Sequence, residues 1–321
     1  MRILFITSSR VGDAILTTGL LKYLVDRYSD AKFTIACGPV AQGLFDHVPR
    51  LEKVIVLRKG FAMAHWRHLL KSTMIRSWHT VVDMRSSATS WFLPTLYRRI
   101  YTRKDKNAHR VDDMRHTLSL DTAPNPHIWL DSTNRTFADS LLIDKGQRPL
   151  LVVGPTANWA AKIWPAAYFS ELISRLTAED GCLAGGSVVV VGGPGEETIA
   201  APILNMIPAE RRIDLVGPIP FLDVAAVLER ASLYVGNDSG LMHLSAAVGA
   251  PTLGLFGPTR EYNYRPWGAL CGFVRTDETH AELSTHPDFR PDPTNSLMLG
   301  LSVEKVISAS TELLELSKRL D

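Results

Sequence analysis

The sequence predicts an α/β protein made of two doubly wound domains, each a parallel sheet with helices on both faces. Three observations carry that expectation. Strand-like and helix-like runs alternate along most of the chain, as they do where helical crossovers join parallel strands. The alternation falls into two series, separated by Asp121–Gln147, which holds Pro124, Pro126 and Gly146 and reads as connection. The chain is 321 residues long, 45% apolar and 21% charged, enough for two domains with real cores.

In the first series Arg2–Thr7 is a short apolar strand. Asp13–Tyr28 follows with Ile15, Leu16, Leu20, Leu21, Leu24 and Val25 at helical spacing. Lys32–Cys37 and Lys53–Leu57 read as strands, His65–Ser77 as a helix and His79–Asp83 as a strand. The second series opens with the strand Leu150–Val153 and continues through the helix Ala166–Ala178 and the strand Ser187–Val191. Helix Glu196–Met206, strand Ile213–Val216 and helix Phe221–Ala231 come next, then a strand–helix–strand unit of Leu233–Gly236, Gly240–Val248 and Thr252–Phe256. After an irregular stretch at His286–Asn295 the chain closes with an amphipathic helix, Val303–Leu320. The domains are placed at 1–145 and 146–321, with the last helix a candidate to pack back on the first domain.

Several function classes are disfavoured at once. No apolar run approaches the ~20 residues of a membrane-spanning helix. The opening MRILFIT reads as a strand and lacks the features of a signal peptide. Cys37, Cys182 and Cys271 are odd in number and far apart, which points to a reducing, cytoplasmic setting. The net charge of +2 hides an asymmetry: between Arg58 and Arg115 thirteen basic residues, Lys59 among them, face four acids. Such an excess suits an anionic partner, whether phosphorylated glycolipid, nucleic acid or acidic membrane surface, or is a solvated face.

In open α/β sheets ligands bind beyond the carboxyl ends of the strands, so the chemistry is expected in strand-to-helix loops and in a cleft between the facing domains. Three loops stand out. Thr7–Asp13 follows the first strand and carries one glycine, Gly12, not the three of a dinucleotide fingerprint. Asp13 at its end is either a helix cap or a general base for a substrate hydroxyl. Gly154–Pro165 sets small and hydroxyl residues, including Thr156, ahead of Lys162 and Trp164-Pro165. Small side chains let backbone amides approach a phosphate, and Lys162 is a point charge for it or a surface lysine. Most specific is Val235–Ala247, where a strand ends in Asn237-Asp238-Ser239-Gly240 and a helix begins at once. Its amino end is suited to an anion, Ser239 can supplement it, and His243 lies one turn in. Asp238 has a capping or core role as its alternative. Among other motifs there is no H-E-x-x-H, Walker loop, G-x-S-x-G or Asp-x-Asp, so neither metal nor cofactor is expected.

These segments resemble glycosyltransferase family 9, the heptosyltransferases of lipopolysaccharide core assembly. The opening MRILFITSSRVGDAILTTGLLKYL, the stretch from Thr156 through Trp164-Pro165, and Gly217 through Pro258 carry the likeness. The resemblance implies a GT-B fold and metal-independent, inverting transfer of a sugar, heptose first, from an ADP-sugar held by the second domain. The acceptor, an anionic lipopolysaccharide-core glycolipid, would be bound mainly by the first domain. Asp13 matches the position of the family's base. Thr156, Lys162 and the turn Asp238, Ser239, Gly240 with His243 match its donor site, and Glu196, less surely Glu197, falls where a ribose-binding carboxylate is expected. Ser9, Arg10, Gly12, Arg85 and Arg110 are the corresponding acceptor-side candidates. Asn158, Trp159, Ala160 and Ala161 depart from the charged residues family members often carry there. The protein would work in the cytoplasm, peripheral at the inner face of the inner membrane, without nucleic acid. A nucleotide-sugar epimerase on the same two-domain fold is the alternative.

Overall fold

The structure, a computed structural model, describes residues 1–58, 60, 64–146, 148–292 and 295–320. Lys59 of the basic stretch, Gln147 at the end of the expected connection, and two residues of the His286–Asn295 stretch lie outside them. The chain divides into Met1–Asp131 and Ser132–Asp321.

The first unit runs β1 (Arg2–Ile6), α1 (Val11–Arg27), β2 (Lys32–Cys37), β3 (Leu51–Val56), α2 (Ala64–Thr73), β4 (Trp78–Asp83), β5 (Thr95–Ile100) and α3 (Arg110–Met114). Its five strands lie in the order β3-β2-β1-β4-β5, all parallel. Ile3, Leu4, Phe5 and Ile6 of β1 are wholly buried, as a central strand covered on both faces requires. On one face Leu4, Ile6, Val81 and Ile55 pack with Leu69 and Trp78. Gly19 of α1 is needed for a close approach: a Cβ there would fall 2.3 Å from the Pro124 carbonyl.

The second unit begins with α4 (Ser132–Leu142), β6 (Leu150–Gly154), α5 (Ala166–Leu176), β7 (Ser187–Gly192), α6 (Glu197–Met206), β8 (Arg212–Val216) and α7 (Phe221–Leu228). It continues with β9 (Leu233–Asn237), α8 (Gly240–Ala247), β10 (Thr252–Phe256), α9 (Glu261–Tyr264), β11 (Cys271–Arg275), α10 (His280–Leu283) and α11 (Val303–Leu320). Its six parallel strands are ordered β11-β10-β9-β6-β7-β8. Both sheets therefore reverse their winding at the first strand, between β1 and β4 and between β6 and β9. Those are the switch points where open α/β sheets hold ligands.

The boundary differs from the expected 145/146 because the supposed connection contains α4. That helix is tied to α7 and the turn after it: Asn134 donates to Asp223 (2.8 Å), Arg135 to both oxygens of Glu229 (3.0 and 3.1 Å), and Arg230 reaches Asp139 (2.9 Å). The last helix, α11, packs within its own unit on α5 and strands β9 to β11, and buries Val306, Leu313 and Leu314 in that core. No helix among the described residues is long and apolar enough to cross a membrane.

Candidate active site

The two switch points gather most of the expected residues. In the first unit, β1 leads through Thr7–Arg10 into α1, whose cap is Arg10 in extended backbone with no side-chain cap bond. Asp13 is the third residue of the helix, so it is not the cap. Its charge is favoured there by the helix dipole. Among the described residues its carboxylate has no hydrogen-bond or ion-pair partner. With Ser8, Thr17, Arg85, Arg110 and Met114 it lines a cavity of about 190 Å³.

Each arginine is held in place by a buried acid. Asp83, wholly buried at the end of β4, accepts the Arg85 N–H (2.8 Å), the Ser87 N–H (2.8 Å) and the Ser87 hydroxyl (2.6 Å). This turn carries Ser86 at φ 55°, a left-handed conformation, and sets Arg85 over the Trp66 ring at 4.9 Å. Burial lowers the guanidinium pKa there, with Asp83 opposing. Arg110 donates to the Tyr101 hydroxyl (2.7 Å), which itself donates to Asp113 (2.5 Å). The other Asp113 oxygen takes the Lys104 and Asp105 N–H groups. Burial, then the bond to Asp113, raises the Tyr101 phenol. Burial works to raise Asp113 too, but its hydrogen bonds win and hold it below the usual carboxylate value. Arg110 Nε remains buried with no hydrogen-bond partner among the described residues.

Asp13, Arg85 and Arg110 thus meet at one cavity. Ser9, Arg10 and Gly12 do not line it: Arg10 is exposed, and Ser9 packs where a Cβ on Gly38 would lie 2.5 Å away. Asp83, Tyr101 and Asp113, which organise the cavity, were not among the sequence candidates. The only hint was a carboxylate closing the apolar strand His79–Asp83.

In the second unit the loop after β6 closes on the loop after β9. Asn237, wholly buried, takes the Trp164 N–H on its oxygen (3.1 Å) and donates to the Pro155 carbonyl (2.8 Å). The Trp164 indole donates to Leu301 (2.9 Å) and that of Trp159 to Arg290 (2.8 Å), so the two tryptophans anchor the loop. Lys162 is thereby delivered to Asp238, donating to its carbonyl (2.7 Å) and its carboxylate (3.3 Å). The pair is nearly enclosed, with side chains 13% and 10% exposed. An ammonium has three donors, so one remains for a ligand.

Ser239 caps α8 in extended backbone without a side-chain cap bond, and Gly240 opens the helix, leaving its first amides available to an anion. The hydroxyl of Thr259, beyond neighbouring β10, has no hydrogen-bond partner among the described residues, and that of wholly buried Tyr234 faces the Ser239 hydroxyl. Gly154 and Gly236 make room for that phenol: Cβ atoms there would lie 2.1 and 2.4 Å from its oxygen. On the other side of β6, Thr156 and Glu196 meet at Gly192, where a Cβ would lie 3.4 Å from each. Glu196 also takes the Gly193 N–H at 2.6 Å and Glu197 that of Gly195 at 3.2 Å. His243 is buried in α8. Among the described residues no group of three or more His, Cys, Asp or Glu is placed to hold a metal ion.

Two parallel α/β units, each with its polar site at the switch point, form the GT-B type of architecture. Residues 54–289 match the model of glycosyltransferase family 9 (heptosyltransferase), and the chain belongs to that family. It is 23% identical over 315 residues to lipooligosaccharide heptosyltransferase 2 of Haemophilus influenzae, covering 87% of this chain and 89% of that protein. Its fold is that of a family 9 glycosyltransferase from Veillonella parvula (TM-score 0.79, 22% identity, 98% and 97% of the two chains). An E. coli heptosyltransferase solved with ADP shares it too (TM-score 0.70, 20% identity, 98% and 100%).

Proposed function

We propose that this enzyme moves heptose from an ADP-linked donor to a lipopolysaccharide-core acceptor, with inversion at the anomeric carbon. The observation that carries the reading is Asp13, an unpartnered carboxylate at a switch point, in one cavity with two arginines. The activities named for the relatives and the ADP bound in the E. coli enzyme support it.

In this mechanism Asp13 takes the proton of an acceptor hydroxyl as that oxygen bonds the anomeric carbon. The bond from that carbon to the diphosphate breaks, and ADP leaves with the electron pair. Its growing charge meets the third Lys162 donor, the Gly240 end of α8 and the Ser239 hydroxyl, a preorganised set that needs no metal ion. Thr156 and Glu196 would hold the nucleoside, Glu196 through a ribose hydroxyl, with His243 supporting the turn from within α8. Arg85 and Arg110 would take anionic groups of the acceptor, with the Ser9–Gly12 loop as its rim. The setting is cytoplasmic, at the inner face of the inner membrane.

Thermal unfolding with ADP, UDP, GDP and CMP in turn tests the donor site. A ligand at ~100-fold excess over its Kd stabilises the fold by about 2.7 kcal/mol. The reading expects that shift with ADP alone; a shift with UDP or GDP instead would overturn the ADP-heptose assignment. Conversion of a nucleotide-sugar without acceptor would instead mark an epimerase.

A further inference from the structure

Ser239 does not do what a serine at a helix start usually does. At that position the side-chain oxygen ordinarily accepts an N–H from the second or third residue of the helix. The backbone of Ser239 suits this, extended at φ −144° and ψ 173°, yet its side chain makes no cap bond to α8. Thr279 shows the ordinary case in the same unit: from extended backbone it accepts the Glu282 N–H at 3.2 Å as it caps α10. Backbone geometry is therefore not what keeps the Ser239 oxygen from its own helix.

The neighbour that Ser239 faces is the Tyr234 hydroxyl. Tyr234 stands on β9 two residues before Gly236, so the two share a face of the sheet. Its side chain runs along that face to Gly236 and to Gly154, which pairs with Gly236 in register across β6 and β9. Glycines in strands forgo side-chain packing and add to the entropy lost on folding, and they mark places where something must come close. Here a Cβ on Gly154 or Gly236 would lie 2.1 or 2.4 Å from the phenol oxygen, so the pair clears room for one hydroxyl at the switch point. A phenylalanine would fill the core without burying a polar group, which is costly unless that group is hydrogen-bonded. The hydroxyl thus has a task that packing does not supply. Burial raises the phenol well above its ordinary value, with the Ser239 bond opposing and the Glu196 charge adding, so it stays protonated at neutral pH. A phenol is a stronger acid than an alcohol and is the better donor of the two. Its one proton goes to the Ser239 oxygen.

We infer that Tyr234 is a positioning residue for donor binding: its hydroxyl holds the Ser239 side chain off the first turn of α8, so that the Gly240 and Leu241 amides stay open to the donor diphosphate. The inference rests on the donor reading of that turn. Tyr234 touches no substrate in this arrangement and acts through Ser239 alone. Without the phenol, the Ser239 oxygen is released to cap α8 and competes with the anion for the same amides.

The test compares wild type, Tyr234→Phe, Ser239→Ala and the double variant by calorimetric titration with ADP and with adenosine, and by amide hydrogen exchange over Gly240–Met242 without nucleotide. Tyr234→Phe should weaken ADP roughly three- to tenfold, the scale of a serine cap, and leave adenosine unchanged. It should also slow exchange in that turn, because the freed serine now accepts an N–H; a change that merely loosened the core would speed it. When Ser239 is already alanine, Tyr234→Phe should cost no further ADP affinity, since the two residues act as a unit. Equal ADP affinity in wild type and Tyr234→Phe would overturn the inference and leave the donor reading standing. So would exchange that is unchanged or faster, or an equal loss of affinity in both Ser239 backgrounds. Failure of wild type to bind ADP would instead sink the donor reading, and the inference with it.

Discussion

Lys162 has two separable roles, and a double variant pulls them apart. With its side chain 13% exposed and that of Asp238 10% exposed, Lys162→Ala strands a carboxylate in a nearly closed site. Removing one member of a buried ion pair costs about 3–5 kcal/mol, so urea unfolding should show a loss on that scale. The same change deletes one charge-assisted bond to the donor diphosphate, worth about 1.5–3 kcal/mol, or roughly 10- to 150-fold in ADP affinity. Adding Asp238→Asn removes the stranded charge. The pair of substitutions should then recover most of the stability and none of the affinity, since the two residues touch and their effects cannot add. Calorimetric titration with ADP beside the unfolding curves reads both quantities. If the double variant binds ADP as tightly as wild type, Lys162 only neutralises Asp238 and the donor assignment fails.

Other expectations follow from single contacts. Gly154→Ala would set a methyl group 2.1 Å from the Tyr234 oxygen and should cost at least ~1–3 kcal/mol of stability. Tyr234→Phe removes the oxygen that this methyl would meet and should partly rescue Gly154→Ala; equal stability of Gly154→Ala and the double variant would mean that the clash lies elsewhere. Burial pushes the thiols of Cys37, beside Asp46, and Cys271 up to about 12, whereas Cys182 is exposed. A thiol reagent should therefore label one cysteine quickly in the native protein and all three in denaturant. Asp113 is held below its ordinary value when folded, so its contribution to stability is complete above about pH 4 and fades as pH falls through the folded value. Denaturant unfolding should show the gap between wild type and Asp113→Asn narrowing from pH 6 toward pH 3.

The central strands were legible because burial on both faces leaves an unbroken apolar run, as in Ile3–Ile6 or Val188–Val191. The edges were not. β5 is TLYRRI, mostly exposed, and β11 is the short CGFVR, so neither shows a strand's apolar signature. α4 hid inside an expected connection because only Asn134 and Ala138 of its eleven residues are buried. The loops that leave β1, β6 and β9 announced Asp13, Lys162 and Ser239, since strand-to-helix turns with small or charged residues are local patterns. Asp83 braces a turn only two to four residues on, but Tyr101, Asp113 and Tyr234 act through neighbours distant in sequence. The Tyr101–Asp113 bond spans twelve residues, and the pocket for the Tyr234 hydroxyl is made by glycines on two strands, so neither leaves a local motif.

Acceptor-dependent transfer from ADP-heptose by wild type and Asp13→Asn, followed by mass spectrometry of the lipopolysaccharide-core product, tests the central claim most directly. General-base catalysis contributes about 10²- to 10⁴-fold. Wild type should therefore form the heptosylated product, and Asp13→Asn should turn over at least a hundredfold more slowly while binding ADP unchanged. Full activity in Asp13→Asn, or no product from wild type, would contradict it.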